Sequence, residues 1–202
     1  LYLNLGYWET ATTYDDACEA LADQLGVAAS FEATDEVLDV GFGFGDQDKF
    51  WVEKYGPKRI VGINITESQV AEAKTRNAHE RIEFRHGSAT EMPFAADTFD
   101  KIVALESAFH FDTRERFMQE ALRVLKPGGR VAIADVIPIV QARGLVGWVG
   151  QYMGRSFWQI PKANMYGADE YAAKLQAAGF RDVNIRSIGD QVFTQFKAFA
   201  QK

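Results

Sequence analysis

The sequence predicts an α/β domain built on a doubly wound, seven-stranded sheet. The sheet is expected to be mostly parallel with an antiparallel edge, and to carry helices on both faces. Three observations lead there. Short aliphatic runs alternate with amphipathic stretches over most of the 202 residues, which is the order of a βαβ sheet. The first run, Val37 to Val40, ends in three alternate glycines, Gly41, Gly43 and Gly45, followed by a helical stretch from Asp46 to Tyr55. Strand, glycine turn and helix form the opening unit of a doubly wound nucleotide fold. Near the C-terminus two strand-like runs follow one another without a helix between them, and such a pair implies an antiparallel edge.

Taken in order, residues 1–30 read as an N-terminal cap segment and a helix. Leu1 to Thr12 is aromatic and turn-rich. Tyr14 to Gly26 places Ala17, Leu21 and Leu25 on one helical face, with Gly26 as its stop. After the glycine turn, Phe50, Trp51 and Tyr55 anchor the next helix. Arg59 to Ile63 is a second strand, introduced by the Gly56-Pro57 breaker. A helix with Thr66 as N-cap runs to about His79, and Arg81 to Arg85 alternates as a third strand. Phe99 to Leu105 is the fourth strand. The amphipathic run from Arg114 to Leu125 stops at Lys126-Pro-Gly-Gly129, and Arg130 to Asp135 is the fifth strand. Residues 136–166 interrupt the rhythm with an apolar insertion bearing Trp148, Tyr152, Met153, Phe157 and Trp158. A helix from Ala168 to Ala178 closes at Gly179, and strands follow near Val183–Ile188 and Val192–Ala200. No repeat or linker divides the chain, so 1–202 is expected to be a single domain.

Composition excludes several classes. The chain is 47 % apolar and 25 % charged, as in ordinary globular proteins. A net charge of −6 leaves no basic surplus to meet nucleic-acid phosphates. The single cysteine, Cys18, excludes an internal disulfide framework and fits a reducing cytoplasm. Three scattered histidines show no zinc-ligand spacing, and no metal is expected. No apolar run reaches membrane-span length and no signal peptide is evident, although the chain opens at Leu1 without an initiator methionine. A cytoplasmic location with no stable membrane insertion is the expectation.

The glycine spacing discriminates between cofactors. A dinucleotide fingerprint needs a small residue where this chain has Asp46, and a carboxylate there repels a pyrophosphate. Asp39 instead completes D-x-G-x-G-x-G. That pattern resembles motif I of class I methyltransferases, whose cofactor is S-adenosyl-L-methionine and whose product is S-adenosyl-L-homocysteine. The resemblance covers nearly the whole chain through Asn4-Leu-Gly-Tyr-Trp8, Leu38-Asp-Val-Gly-Phe-Gly, Gly87-Ser-Ala-Thr-Glu-Met-Pro-Phe94, Ala104-Leu-Glu-Ser107 and Leu122-Arg-Val-Leu-Lys-Pro-Gly-Gly129. These stretches look like small-molecule members with a Rossmann-like fold, above all the antibiotic sugar O-methyltransferases of macrolide and rebeccamycin type. Sterol, tocopherol and cyclopropane-lipid C-methyltransferases share much of the pattern.

What the resemblance implies is a set of residue roles. Asp39, Gly41, Gly43 and Gly45 would border the cofactor's methionine and ribose part. Asn64 stands where an acidic residue usually grips the ribose, and as a neutral group it still accepts and donates; its plainer reading is a turn asparagine. Ser88 and Ala89 replace an Asp-Ala pair at the adenine. Tyr7 sits where the family folds a segment over the cofactor, although it could equally be simple packing. Ile65 and Leu105 complete the set with Gln69, which read alone is a solvated helix position. His110 follows the fourth strand as general base, with Asp135 at the end of the fifth strand to orient it. Glu106 faces the cofactor or the acceptor. A packed strand-end histidine and a capping aspartate are the plainer readings of His110 and Asp135, and solvated surface is the reading for His79 and His86.

The expected reaction is methylation of a hydroxyl on a bulky, apolar natural product, such as a secondary-metabolite sugar. The 136–166 insertion would shape the acceptor pocket; as a lid or dimer contact it leaves a homodimer open. The alternative is a C-methyltransferase on a prenyl, terpenoid, sterol-like or lipid acceptor, with Phe109, Trp148 and Phe157 facing a carbocation. A non-catalytic scaffold is opposed by the intact glycines and His110. A nicotinamide-dependent reductase is opposed by Asp46.

Overall fold

At the centre of the fold lies β1 (Glu36–Val40), whose last four residues are buried. In this computed structural model, which describes residues 2–137 and 158–201, parallel strands flank β1 on each side. These are β2 (Arg59–Asn64) and β3 (Ile82–His86) on one side, and β4 (Phe99–Leu105) and β5 (Leu125–Ala134) on the other. The order is β3-β2-β1-β4-β5, and all four pairings are parallel. The described helices are α1 (Tyr14–Ala29), α2 (Asp46–Tyr55), α3 (Glu67–Arg76), α4 (Arg114–Val124), α5 (Ala168–Ala178) and α6 (Gln195–Ala200).

Alternation along each strand decides which face each residue serves. Leu38, Val40, Ile102 and Ala104 pack with Phe117, Ala121 and Val124 of α4. Val37, Val103, Leu105 and Ala132 pack with Leu21 and Leu25 of α1 and with Trp51 and Val52 of α2. Strands covered on both faces must be apolar on both, so they read as continuous aliphatic runs. The Trp51 indole N–H, inside this layer, donates to the Ala22 carbonyl at 2.8 Å. Thr13 and Thr113 cap α1 and α4, each accepting through Oγ1 from the amide three residues on.

Several expectations are corrected. The helix α1 does not stop at Gly26 but runs to Ala29, closing at Ser30 with φ of 54°. Gly26 is needed for space, because a Cβ there would lie 2.6 Å from Cε2 of Tyr55. Thr66 occupies the N-cap of α3 without a side-chain cap bond. The Lys126–Gly129 turn is absorbed into the start of β5 as a register irregularity against β4.

The largest difference is at the C-terminus. Among the described residues the sheet has five parallel strands, with no sixth, no seventh and no antiparallel edge. Val183–Ile188 forms no strand, Asp190–Thr194 is a π-helical turn, and α6 stands where the alternation predicts an edge strand. Val192, Phe196 and Phe199 share a helical face, whereas Val192, Phe196 and Ala198 share a strand face, and short apolar runs do not choose between the two. Packing chooses. Phe199 lies 4.7 Å from the Trp8 ring and stacks on Tyr14, and Val192 enters the core beside α1. An open groove of about 1960 Å³ therefore runs between β5 and Val183–Ile188. Trp148, Tyr152, Met153 and Phe157 of the predicted insertion lie outside the described residues.

Candidate functional site

Strand order reverses between β1 and β4, and in open parallel sheets ligands bind beyond the carboxyl ends at such a switch point. Gly41 leaves β1 there with φ of 85°, and a Cβ on it would lie 2.5 Å from Cβ of Ser107, just past β4. Ser107 donates through Oγ to the Val40 carbonyl at 2.7 Å, locking the two strand ends together. Gly43 also has positive φ, but a Cβ there would meet only the Leu3 side chain, at 3.1 Å. Gly45 caps α2 and makes room for the Phe84 ring. Of the three glycines, Gly43 is the one whose missing side chain leaves an approach to the backbone.

Carboxyl groups collect beneath this turn. Asp39 is fully buried, and its Oδ2 accepts from Nε2 of Gln47 at 2.9 Å, while Oδ1 has no hydrogen-bond partner. Burial pushes the Asp39 carboxyl up to about 7, against the opposing effect of Gln47. Asp48 is also fully buried, and its pKa is raised well above the usual carboxylate range, first by burial and then by the charge of Asp39. Burial of the two carboxyls near one another favours their protonated forms. The set suits a cationic ligand and disfavours a phosphate. It fits S-adenosyl-L-methionine, whose sulfonium and ammonium are both positive.

The N-terminal segment lies over the turn. Leu3 covers Gly43, and the Leu5 amide donates to Oε2 of Glu106 at 2.8 Å. Glu106 has φ of 47°, and burial pushes its carboxyl up to about 7. It is a latch for this segment. Tyr7 packs into the α1–α2 core layer, with its hydroxyl donating to Glu9, and Trp8 donates to the Leu5 carbonyl.

The remaining predicted cofactor residues divide. Asn64 ends β2 and points its Nδ2 at the Gly43 carbonyl (3.4 Å) and at Oε1 of Gln69 (2.7 Å), while Oδ1 accepts from the Thr66 amide. Gln69 is therefore a partner of Asn64 rather than a solvated position. Ile65 is 65 % exposed beside it, whereas Leu105 is core. Ser88 is taken up by its own turn, bonding Thr90, and Ala89 packs against the α4-side core. His79 and His86 are exposed.

His110 ends a single 3₁₀ turn after β4 and is exposed, with one ring face on Phe109 at 4.0 Å. Desolvation lowers its pKa, while the Gln159 backbone and the charge of Asp135 act in the other direction. The imidazole is thus largely unprotonated at neutral pH. Phe111, the next residue, reaches 3.6 Å from the Cβ position of Gly41, so this loop abuts the glycine turn.

The expected pairing of Asp135 with His110 is corrected. Oδ2 of Asp135 accepts from Nε of Arg114 at 2.7 Å, and Oδ1 accepts from the Val136 amide. A buried guanidinium outcompetes an exposed imidazole for the carboxylate. Sequence reading missed Arg114, Asn164, Gln47 and Asp48. Arg114 is 0 % exposed between the Tyr166 and Tyr171 rings, at 5.2 and 5.1 Å. In the sequence it is one charge on an amphipathic helix, and only the fold buries it. Among the described residues no group of three or more His, Cys, Asp or Glu could hold a metal ion.

The comparisons agree with this geometry. A family model described as methyltransferase domain matches residues 38–133. The erythromycin 3''-O-methyltransferase of Saccharopolyspora erythraea is 44 % identical over 95 % of this chain, which spans only 65 % of that enzyme's length. Methyltransferase GfsG of Streptomyces halstedii is 30 % identical over 94 % of the chain and 69 % of its own length. Geranyl diphosphate C-methyltransferase from Streptomyces coelicolor, solved with Mg²⁺, geranyl diphosphate and S-adenosyl-L-homocysteine, superposes with a TM-score of 0.81. It is 16 % identical, with 98 % of this chain and 81 % of that one covered, a likeness of fold. By its glycine turn, its fold and these relatives, the chain belongs to the methyltransferase family.

Proposed function

We propose that the protein is an S-adenosyl-L-methionine-dependent O-methyltransferase acting on a hydroxyl of a bulky, largely apolar natural product. One observation carries the reading: an acid-lined glycine turn and an unprotonated histidine share the carboxyl edge of the sheet. The relatives, among them an erythromycin 3''-O-methyltransferase, support this acceptor class.

Gly43 would admit the cofactor to the backbone, Asp39 would face its positive end, and Asn64 would meet the ribose, exchanging Gln69 for it. Ile65, with Ser88 and Ala89, would border the adenine. When bound, the cofactor supplies an activated methyl group. The chain's own work is to position the acceptor, exclude water and take the hydroxyl proton on a His110 ring nitrogen. Glu106 holds the Leu3–Trp8 segment over the turn, and Asp135 acts on His110 only through its charge. Residues 136–166 are the acceptor-binding insertion.

A small-molecule acceptor and no nucleic acid complete the reading. A homodimer is tested by light scattering, and no described helix is long and apolar enough to cross a membrane. The free edge of β5 is where two further strands, one of them antiparallel, would complete a seven-stranded sheet.

A C-methyltransferase is the second reading. Phe109 and Trp158, ring centroids 6.1 Å apart beside His110, offer π faces to a carbocation. Calorimetric titration with S-adenosyl-L-methionine, S-adenosyl-L-homocysteine and NAD⁺ tests the cofactor. Binding of the first two alone is expected, and binding of neither overturns the proposal. Turnover is expected to persist in excess chelator.

A further inference from the structure

The His110 loop is held from a distant part of the chain. Asn164 is 0 % exposed, and its Nδ2 donates to the carbonyls on both sides of His110, Phe109 at 3.2 Å and Phe111 at 2.8 Å. Its Oδ1 accepts from the Arg114 amide at 3.0 Å, so all its side-chain hydrogen-bonding atoms are used. The Asn164 carbonyl accepts in turn from Nη1 of Arg114, whose Nη2 and Nε hold the Val136 carbonyl and Asp135. Two further contacts come from the same stretch, the Trp158 ring against Phe109 and the Gln159 backbone beside His110. Residues 158–164 directly follow the 136–157 part of the insertion.

We propose that Asn164, itself held by Arg114, is the positioning residue that aims His110 across the carboxyl edge of the sheet. The chemistry requires such a device. A 3₁₀ turn of three residues leaves its terminal carbonyls without intrahelical partners, and the contacts of the His110 ring with Phe109 and the Gln159 backbone aim it only as well as its own backbone is held. Asn164 supplies both donors from one planar amide, so the two peptide planes flanking His110 are set together. This inference rests on the proposed role of His110 as base, but the geometry it invokes can be read without turnover.

The chain has only three histidines, His79, His86 and His110, so an NMR pH titration of the free protein follows each separately. The groups facing His110 are the Asp135 carboxylate, the Phe109 ring and the Gln159 backbone. In Asn164→Ala the His110 loop is expected to loosen, and its titration to move upward as the desolvation that lowers it is relieved. His79 and His86 stay where they are. In the full reaction kcat falls roughly tenfold while cofactor affinity is unchanged.

Asn164→Leu is the second variant, because it keeps the residue's size, removes both donors and adds no charge beside His110. It is expected to move His110 in the same direction. If either variant folds and leaves the His110 titration at its wild-type position, Asn164 is a packing residue and the proposal is overturned. If both move it while His110→Ala keeps full turnover, the base assignment falls and the positioning stands.

Discussion

The two halves of the sheet's carboxyl edge are built by different means. On the β1–β2 side, most of the polar and turn groups come from contiguous chain: Asp39, the three glycines, Gln47 and Asp48 span ten residues. Their positions follow from a strand end, a left-handed turn and a helix start. On the β4–β5 side the polar groups are Glu106, His110, Arg114, Asp135 and Asn164, spread over almost sixty residues. They are held by hydrogen bonds between segments, with Arg114 at the hub. The lesson is that a cofactor common to a family can be met by a local motif. Here the β4–β5 side is instead assembled from tertiary contacts between distant segments.

The largest test of this contrast is His110→Ala. Loss of a general base lowers kcat by roughly 10²–10⁴-fold, and calorimetry should find cofactor affinity unchanged. Unaltered turnover would break the division of labour between the two sides. Next is Arg114→Met, which leaves Asp135 buried and facing only the Val136 amide. Breaking a buried pair in this way costs about 3–5 kcal/mol, to be read from denaturant unfolding. Removing Asp135 as well, in Arg114→Met/Asp135→Leu, should restore much of that loss, and no recovery would mean the pair is not the source.

Glu106 sharpens the comparison through pH. Its carboxyl titrates at about 7 in the fold against 4.5 unperturbed, so the folded state holds the proton more tightly than the unfolded one. Its contribution to stability is full below pH 4.5 and is lost as pH rises to about 7, by roughly 2–3 kcal/mol at most. Glu106→Gln keeps an acceptor for the Leu5 amide and cannot titrate. The difference in Tm between variant and wild type should therefore grow from pH 4.5 to 7 in the variant's favour; a flat difference rejects the assignment. The smallest effect on folding is expected for Gly43→Ala, about 1–2 kcal/mol for a left-handed residue. There the cofactor Kd should rise roughly tenfold or more, because the methyl occupies the approach to the backbone. Equal binding by variant and wild type would show that Gly43 serves the turn alone.

Legibility followed the same division. Asp39 and the glycines could be named from spacing because each is defined by its neighbours in sequence. Asn64 was named from the family resemblance at the end of the second strand, and its bonds to the Thr66 amide and to Gln69 appear only in the fold. The pairing of Asp135 with His110 failed because adjacency at two strand ends says nothing about a third competitor, Arg114, brought in by α4. The C-terminal strands failed because the 192–200 run offers a strand face through Val192, Phe196 and Ala198 and a helical face through Val192, Phe196 and Phe199, and the Trp8–Tyr14 cluster that selects the helix lies at the other end of the chain.

By itself, the sequence determined the order of elements as far as the fifth strand, the parallel core of the sheet and the phosphate-averse glycine turn. Each of these depends on side-chain period, backbone φ or charge within a few residues. Tertiary structure alone decided that Asp39 and Asp48 meet as buried carboxyls, that Glu106 latches the N-terminal segment, and that Arg114 takes Asp135 from His110. Those outcomes are competitions for partners among groups far apart in the chain. Burial sets the winner, because a charge withdrawn from water binds whichever partner the packing brings to it.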